Sequence, residues 1–183
     1  MKKIIIATLV GGILLFCWQG LSWMVMGIHE KAYKYTPAQD TLLKALSSSL
    51  TEEGQYSLPN VPPGTARDKM QEIGKTWEGK PWAMVTYHKA YNMDMAKPII
   101  RGLLICMVCV WLCCIVIGRM GTKSFGSVFS TALIFGIISF LFVWYNGHNW
   151  MHTPWGVIQG ELIDDLAAWG LVGLWLGWFY GRK

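Results

Sequence analysis

Two histidines, His148 and His152, flank Trp150, and three carboxylates follow them in the chain: Glu161, Asp164 and Asp165. Imidazole combined with carboxylate is a donor set that suits zinc or iron. The same groups beside a bilayer would also serve proton handling or a quinone head group. Glu161 and Asp165 are spaced i,i+4, so they share a face of any helix that carries them. The main reading is plainer: a polar belt at the membrane surface, with acids near a helix N-terminus where the macrodipole favours them. In that reading Arg101 is their ion-pair partner, and the histidines are solvated. His29 and His88 read as ordinary surface residues. The residues name no cofactor.

All five cysteines, Cys17, Cys106, Cys109, Cys113 and Cys114, fall inside apolar stretches. The Cys106-x-x-Cys109 pair has the spacing of a redox or metal pair. Thiolates are costly in hydrocarbon, however, and no second His or Cys pair completes a zinc set. Cysteine as a small packing residue is the stronger reading. No phosphate-binding glycine loop, Gly-x-Ser-x-Gly elbow or His-Glu-x-x-His helix is present. An inverted repeat of the transporter kind is also missing. A small carrier is the third and least favoured reading, because the apolar stretches hold so few charges.

The elements that must position these residues follow from composition. Of the 183 residues, 53% are hydrophobic and only 15% charged, against about 25% charged in soluble domains. The apolar residues come in blocks: Ile4 to Ile28, the run between Arg101 and Arg119, Phe125 to Tyr145, and Leu166 to Gly181. A spanning helix needs about 20 mostly apolar residues, and a helix satisfies its own backbone in lipid. The pattern predicts an all-α membrane protein with four transmembrane helices, at 1–28 and about 99–118, 125–145 and 162–181. The last block is short for a bilayer, which draws the acids before it to the membrane edge, where an unpaired carboxylate is expensive. The basic start Met1-Lys2-Lys3 precedes an apolar run too long for a signal core, without a small-x-small cleavage pattern. Phe16 is bulky where a lipoprotein site takes a small residue, so the first block reads as an uncleaved anchor.

With both termini cytoplasmic, the inner side holds Lys2, Lys3, Arg119, Lys123, Arg182 and Lys183 and no acid. All 11 acids lie on the outer side with the remaining basic residues. That is the positive-inside pattern of a bacterial-type inner membrane. The net charge of +5 thus reports topology; it supplies no basic face for nucleic acid.

Residues 29–97 form an extracytoplasmic insertion between the first two spans, expected to be mainly helical. Thr36-Pro37-Ala38-Gln39 has the form of a helix start, and Leu42, Leu43, Leu46 and Leu50 follow at helical spacing. This predicts a helix of about four turns, ended by Gly54. Prolines 59, 62 and 63 impose an extended stretch; Thr65 to Ile73 suits a second short helix. Pro81 to Tyr91 suits a strand pairing with the run around Tyr56. With too few apolar residues for its own core, the insertion is expected on the outer helix ends, sealed by Trp77, Trp82 and tyrosines.

Two stripes of small residues predict close helix contacts: Gly170, Gly173, Gly177 and Gly181 on the fourth span, and Gly102, Cys106, Cys109 and Cys113 on the second. Their partner is another helix of this chain, another membrane protein or a second copy. Gln19, mid-span, reads as interhelical glue. Small-residue faces, abundant Trp and the missing catalytic set favour a non-catalytic accessory, assembly or interaction subunit of a membrane complex. The alternative is a metal- or quinone-handling redox protein using His148, His152, Glu161, Asp164 and Asp165.

Overall fold

The computed structural model describes residues 2–181. Four helices are long and apolar enough to cross a membrane: α1 (Lys2–Met24), α4 (Ala96–Gly118), a continuous helical run Phe125–Met151, and α7 (Trp155–Gly181). The third run consists of α5 (Phe125–Ser139), a π-helical segment (Phe140–Tyr145) and α6 (Asn146–Met151). Ser124 caps α5, its side chain accepting from the Ser127 amide at 3.2 Å, as an N-cap serine should. His152 ends α6 in the left-handed conformation at φ 52°, and α7 begins directly after Pro154.

The fourth span differs most from the sequence expectation. Its 27 residues amount to about 40 Å at 1.5 Å each, more than the ~30 Å of a hydrocarbon core. Hydropathy stops at Leu166, but backbone hydrogen bonding does not. Glu161, Asp164 and Asp165 therefore sit in the second and third turns of α7. The macrodipole fades within the first turn, so it does not account for three acids there.

The spanning helices are turned inside out relative to a water-soluble bundle. On α1, Ala7, Gly11, Gly12, Leu15 and Ser22 face inward, while Ile5, Ile6, Leu9 and Ile13 are exposed. On α4 the exposed side chains include Leu104, Ile105, Val108 and Leu112. Small and polar residues inside with large aliphatics outside is the arrangement lipid solvent selects. In water the same surface would be one continuous apolar patch.

Close approach is bought by glycine at named places. A Cβ on Gly12 would meet Met107 Cγ at 2.8 Å, and one on Gly11 would meet Val110 Cγ1 at 2.8 Å, so α1 lies tightly on α4. On α7, Gly173 and Gly177 pack on Phe129 and Phe125 of α5, and Gly136 packs on Asp165 and Trp169 from the opposite side. Gly181 also lies near Phe125, whereas Gly170 has no heavy atom within 4 Å of a built Cβ. Three of the four stripe glycines thus meet α5 and the fourth does not. On α4, Gly102 lies against Phe16 (3.4 Å), Cys106 and Cys113 are buried, and Cys109 is half-buried. α1 packs on α4 and on α7, and α7 packs on α5, whereas α4 and α5 touch only sparsely.

Residues 35–93 form a second compact unit. It carries α2 (Gln39–Ser49), β1 (Gly54–Leu58), α3 (Arg67–Lys75) and β2 (Ala83–Tyr87). The strands pair antiparallel with Tyr56 opposite Val85, as the spacing of those residues suggested. α2 has 11 residues, nearer three turns than four. Its cap position is Ala38 with no side-chain cap; Thr36 Oγ1 instead accepts from the Ala38 amide at 3.3 Å. The short side chain of threonine favours this local turn over the helix terminus. Leu42 and Leu43 stay exposed, and Tyr87 is the only buried hydrophobic side chain of the unit among the described residues.

Candidate functional site

The polar centre of the spanning bundle forms around His29, which the sequence placed at the surface. After α1 the chain reverses at Gly27 (φ +63°), a left-handed conformation that glycine tolerates best. The turn brings His29 back alongside Ser22. The ring stacks on Trp23, with centroids 3.9 Å apart and planes 8° from parallel. Its other side lies against α7 at Gly160, where a Cβ would stand 2.9 Å from Nδ1. Gly156, one turn earlier, lets the Lys31 carbonyl approach in the same way. Only 6% of His29 remains exposed.

Asp164 gathers the donors. Trp18 Nε1 donates to Oδ1 at 3.1 Å, and Ser22 Oγ donates to the same oxygen at 2.5 Å. His29 Nε2 lies 3.0 Å from Oδ2 and 3.1 Å from Ser22 Oγ. Asp164 thereby ties both α1 and the turn after it to α7. His29 Nδ1 is buried without a hydrogen-bond partner and stands 3.9 Å from Glu161 Oε1. That contact is electrostatic, being too long for a hydrogen bond.

Serine, histidine and aspartate together invite comparison with a nucleophilic triad, but the wiring differs. A triad places serine on one imidazole nitrogen and the carboxylate on the other, so that the base accepts the serine proton. Here Ser22 and Asp164 meet the same nitrogen, and the serine hydroxyl is directed at the carboxylate. Ser22 is also fully buried. The cluster is built as a clamp between helices.

Beside the clamp lies a cavity of about 460 Å³. Leu15, Gln19 and Trp23 of α1 and Ile105, Cys106, Cys109 and Leu112 of α4 form two sides. Phe135, Ile138 and Ser139 of α5, with Trp144 of the π-helical segment, form a third. α7 closes it with Glu161, Asp164, Asp165, Ala168 and Trp169. Gln19 Oε1 accepts from Cys106 Sγ at 3.5 Å, linking α1 to α4 as its mid-span position suggested. π-Helical turns recur at functional sites, and this one carries Trp144 on the cavity wall.

The sequence-derived group separates. Glu161, Asp164 and Asp165 come together, but their histidine is His29. His148 directs Nδ1 to the Thr153 carbonyl at 2.7 Å and lies edge-on to Trp155. His152 occupies the left-handed turn after α6. Arg101 is exposed and forms no ion pair among the described residues. No group of three or more His, Cys, Asp or Glu suited to a metal ion occurs among the described residues. Cys106 and Cys109 line the cavity wall, and Cys113 is fully buried. Sequence reasoning missed Trp18, Ser22, Trp23, His29 and Gly160. One signal was available: Gly156-x-x-x-Gly160 is itself a small-xxx-small pattern, just before the acids.

Comparison with known proteins finds no matching family model, no matching curated protein and no matching solved structure.

Proposed function

We propose that this multi-pass protein of a bacterial-type inner membrane acts by binding within the bilayer, as a non-catalytic accessory, assembly or interaction subunit. In this reading both termini face the cytoplasm and the 35–93 unit faces outward, following the charge distribution of the sequence. The observation that carries it is the wiring of the clamp. The serine, histidine and aspartate that have catalytic chemistry are directed at one another and hold α1 to α7. The redox alternative draws less support. One of its two histidines, His148, is committed to a backbone carbonyl.

The test is solubilisation in several mild neutral detergents followed by affinity purification of the full chain. The reading predicts one or more membrane proteins, or further copies of this chain, in constant ratio through size exclusion. A lone monomer in every detergent would contradict it. Purified protein with stoichiometric iron or zinc, lost on His148→Ala, would restore the redox alternative.

A further inference from the structure

The three acids beside the cavity are not equally provided for. Asp164 has both oxygens engaged by Trp18, Ser22 and His29. Glu161 is nine-tenths buried and accepts no hydrogen bond among the described residues; its one basic neighbour among them is His29 at 3.9 Å. Asp165 has the Ser139 hydroxyl beside it but keeps a buried Oδ2 without a partner. One histidine thus faces three carboxylates, and Arg101 does not contribute. Such a deficit is expensive where lipid replaces water, and the vacant positions on the acids are all acceptors.

The cavity places these acceptors at one end of an otherwise apolar space. It extends along α1 from Trp23 to Leu15, eight residues or about 12 Å. Leu112, Phe135 and Trp169 contribute apolar lining. At about 460 Å³ it falls within the range of roughly 300–1,000 Å³ typical of small-ligand pockets. It borders both α4 and α5, the two helices that touch only sparsely.

We propose that this cavity binds an amphiphilic organic cation: an aliphatic or aromatic body among Leu112, Phe135, Trp144 and Trp169, with a protonated amine donating to Glu161 and Asp165. The ammonium supplies the positive charge, and donors for the acid oxygens left without a partner. A quinone or a fatty acid brings acceptors to the acidic end of the cavity, where Glu161 and Asp165 are acceptors themselves, and fits less well. A bare metal ion leaves the apolar volume unfilled. This inference does not rest on the accessory role: the chain could bind the amine as a monomer, and it could have partners without the amine.

The experiment uses the full chain in phosphatidylcholine nanodiscs and an alkylamine carrying a photoactivatable diazirine in its tail. Crosslinked peptides are mapped by mass spectrometry, with dodecylamine, dodecanol or dodecanoate as competitor. The expected label falls on the Ile105–Leu112 and Phe135–Trp144 segments. Dodecylamine should displace it at least about tenfold better than the alcohol or the acid, which corresponds to about 1.4 kcal/mol. The double variant Glu161→Gln, Asp165→Asn should lose that preference. If it fails to fold, Cys109→Phe keeps the acids and fills the wall, and should abolish the label. Equal displacement by dodecanol would mean an acyl-chain pocket only, and would overturn the proposal. So would label spread over the lipid-facing surface, or a preference that survives in a folded double variant.

Discussion

Asp164 and Asp165 are neighbours in sequence with opposite expected responses to truncation. Asp164→Ala leaves Trp18 Nε1, Ser22 Oγ and His29 Nε2 without their acceptor in the bundle interior. Hydrogen bonds across membrane helices average about 0.6 kcal/mol and reach about 1.7, whereas bonds to charged groups in water-soluble proteins contribute about 1.5–3 kcal/mol. Three such bonds give a lower bound near 2 kcal/mol by the membrane figure. The charge-assisted figure gives about 5 kcal/mol at its low end; relaxation of the Ser22 and His29 contacts with each other keeps the loss below that. The expected cost is therefore about 2–4 kcal/mol, a shift of roughly 30- to 1,000-fold in the unfolding equilibrium. Asp165→Ala removes a carboxylate with a buried, unpartnered oxygen, so stability should stay within about 0.5 kcal/mol or rise. Unfolding in mixed micelles at rising mole fraction of dodecyl sulfate, followed by tryptophan fluorescence, reads both values. Equal costs, or a larger one at Asp165, would refute the assignment of Asp164 as the tie between α1 and α7.

Gly136→Ala would set a Cβ 2.5 Å from the Asp165 carbonyl; it should cost about 1–3 kcal/mol through overpacking. Gly170→Ala, with open space around it, should be neutral or stabilise by about 0.5–1 kcal/mol, and the same micelle titration reads both. Gly160→Ala must push His29 out of its place between Trp23 and α7. Thermal denaturation should show a loss of about 1–3 kcal/mol, and Trp23 emission should change. Among the thiols, exposed Cys17 should react with an apolar maleimide well before fully buried Cys113 and Cys114. Peptide mapping after timed alkylation tests that order.

Much of the architecture was legible because it depends on composition over long windows. Four uncharged apolar runs, three of about spanning length and a shorter fourth, mean four helices in any fold that lipid solvates. The pairing of the Tyr56 run with Val85 and the role of Gln19 were legible as well, since each rests on a local mismatch between residue type and surroundings. The clamp was not. His29 and Asp164 are 135 positions apart, and a lone histidine after a span has no periodicity to betray burial. The start of α7 was misplaced for a related reason. Hydropathy counts three acids as the end of a span, whereas the fold carries them inside one, where Trp18, Ser22 and His29 supply donors from α1 and its turn to Asp164 alone. Gly27, Gly156 and Gly160 were the readable clues, marking a reversal and a close approach without naming what approaches.

Lipid as the solvent of four helices is the claim on which the rest depends, and cysteine accessibility across the membrane tests it most directly. In a background freed of native cysteines, Asn60→Cys lies in the 35–93 unit, and Gly121→Cys lies in the turn between α4 and α5. An impermeant maleimide should modify Asn60→Cys in intact cells and reach Gly121→Cys only after permeabilisation. Modification of both from the same side, or recovery of the chain in the soluble fraction, would contradict the account.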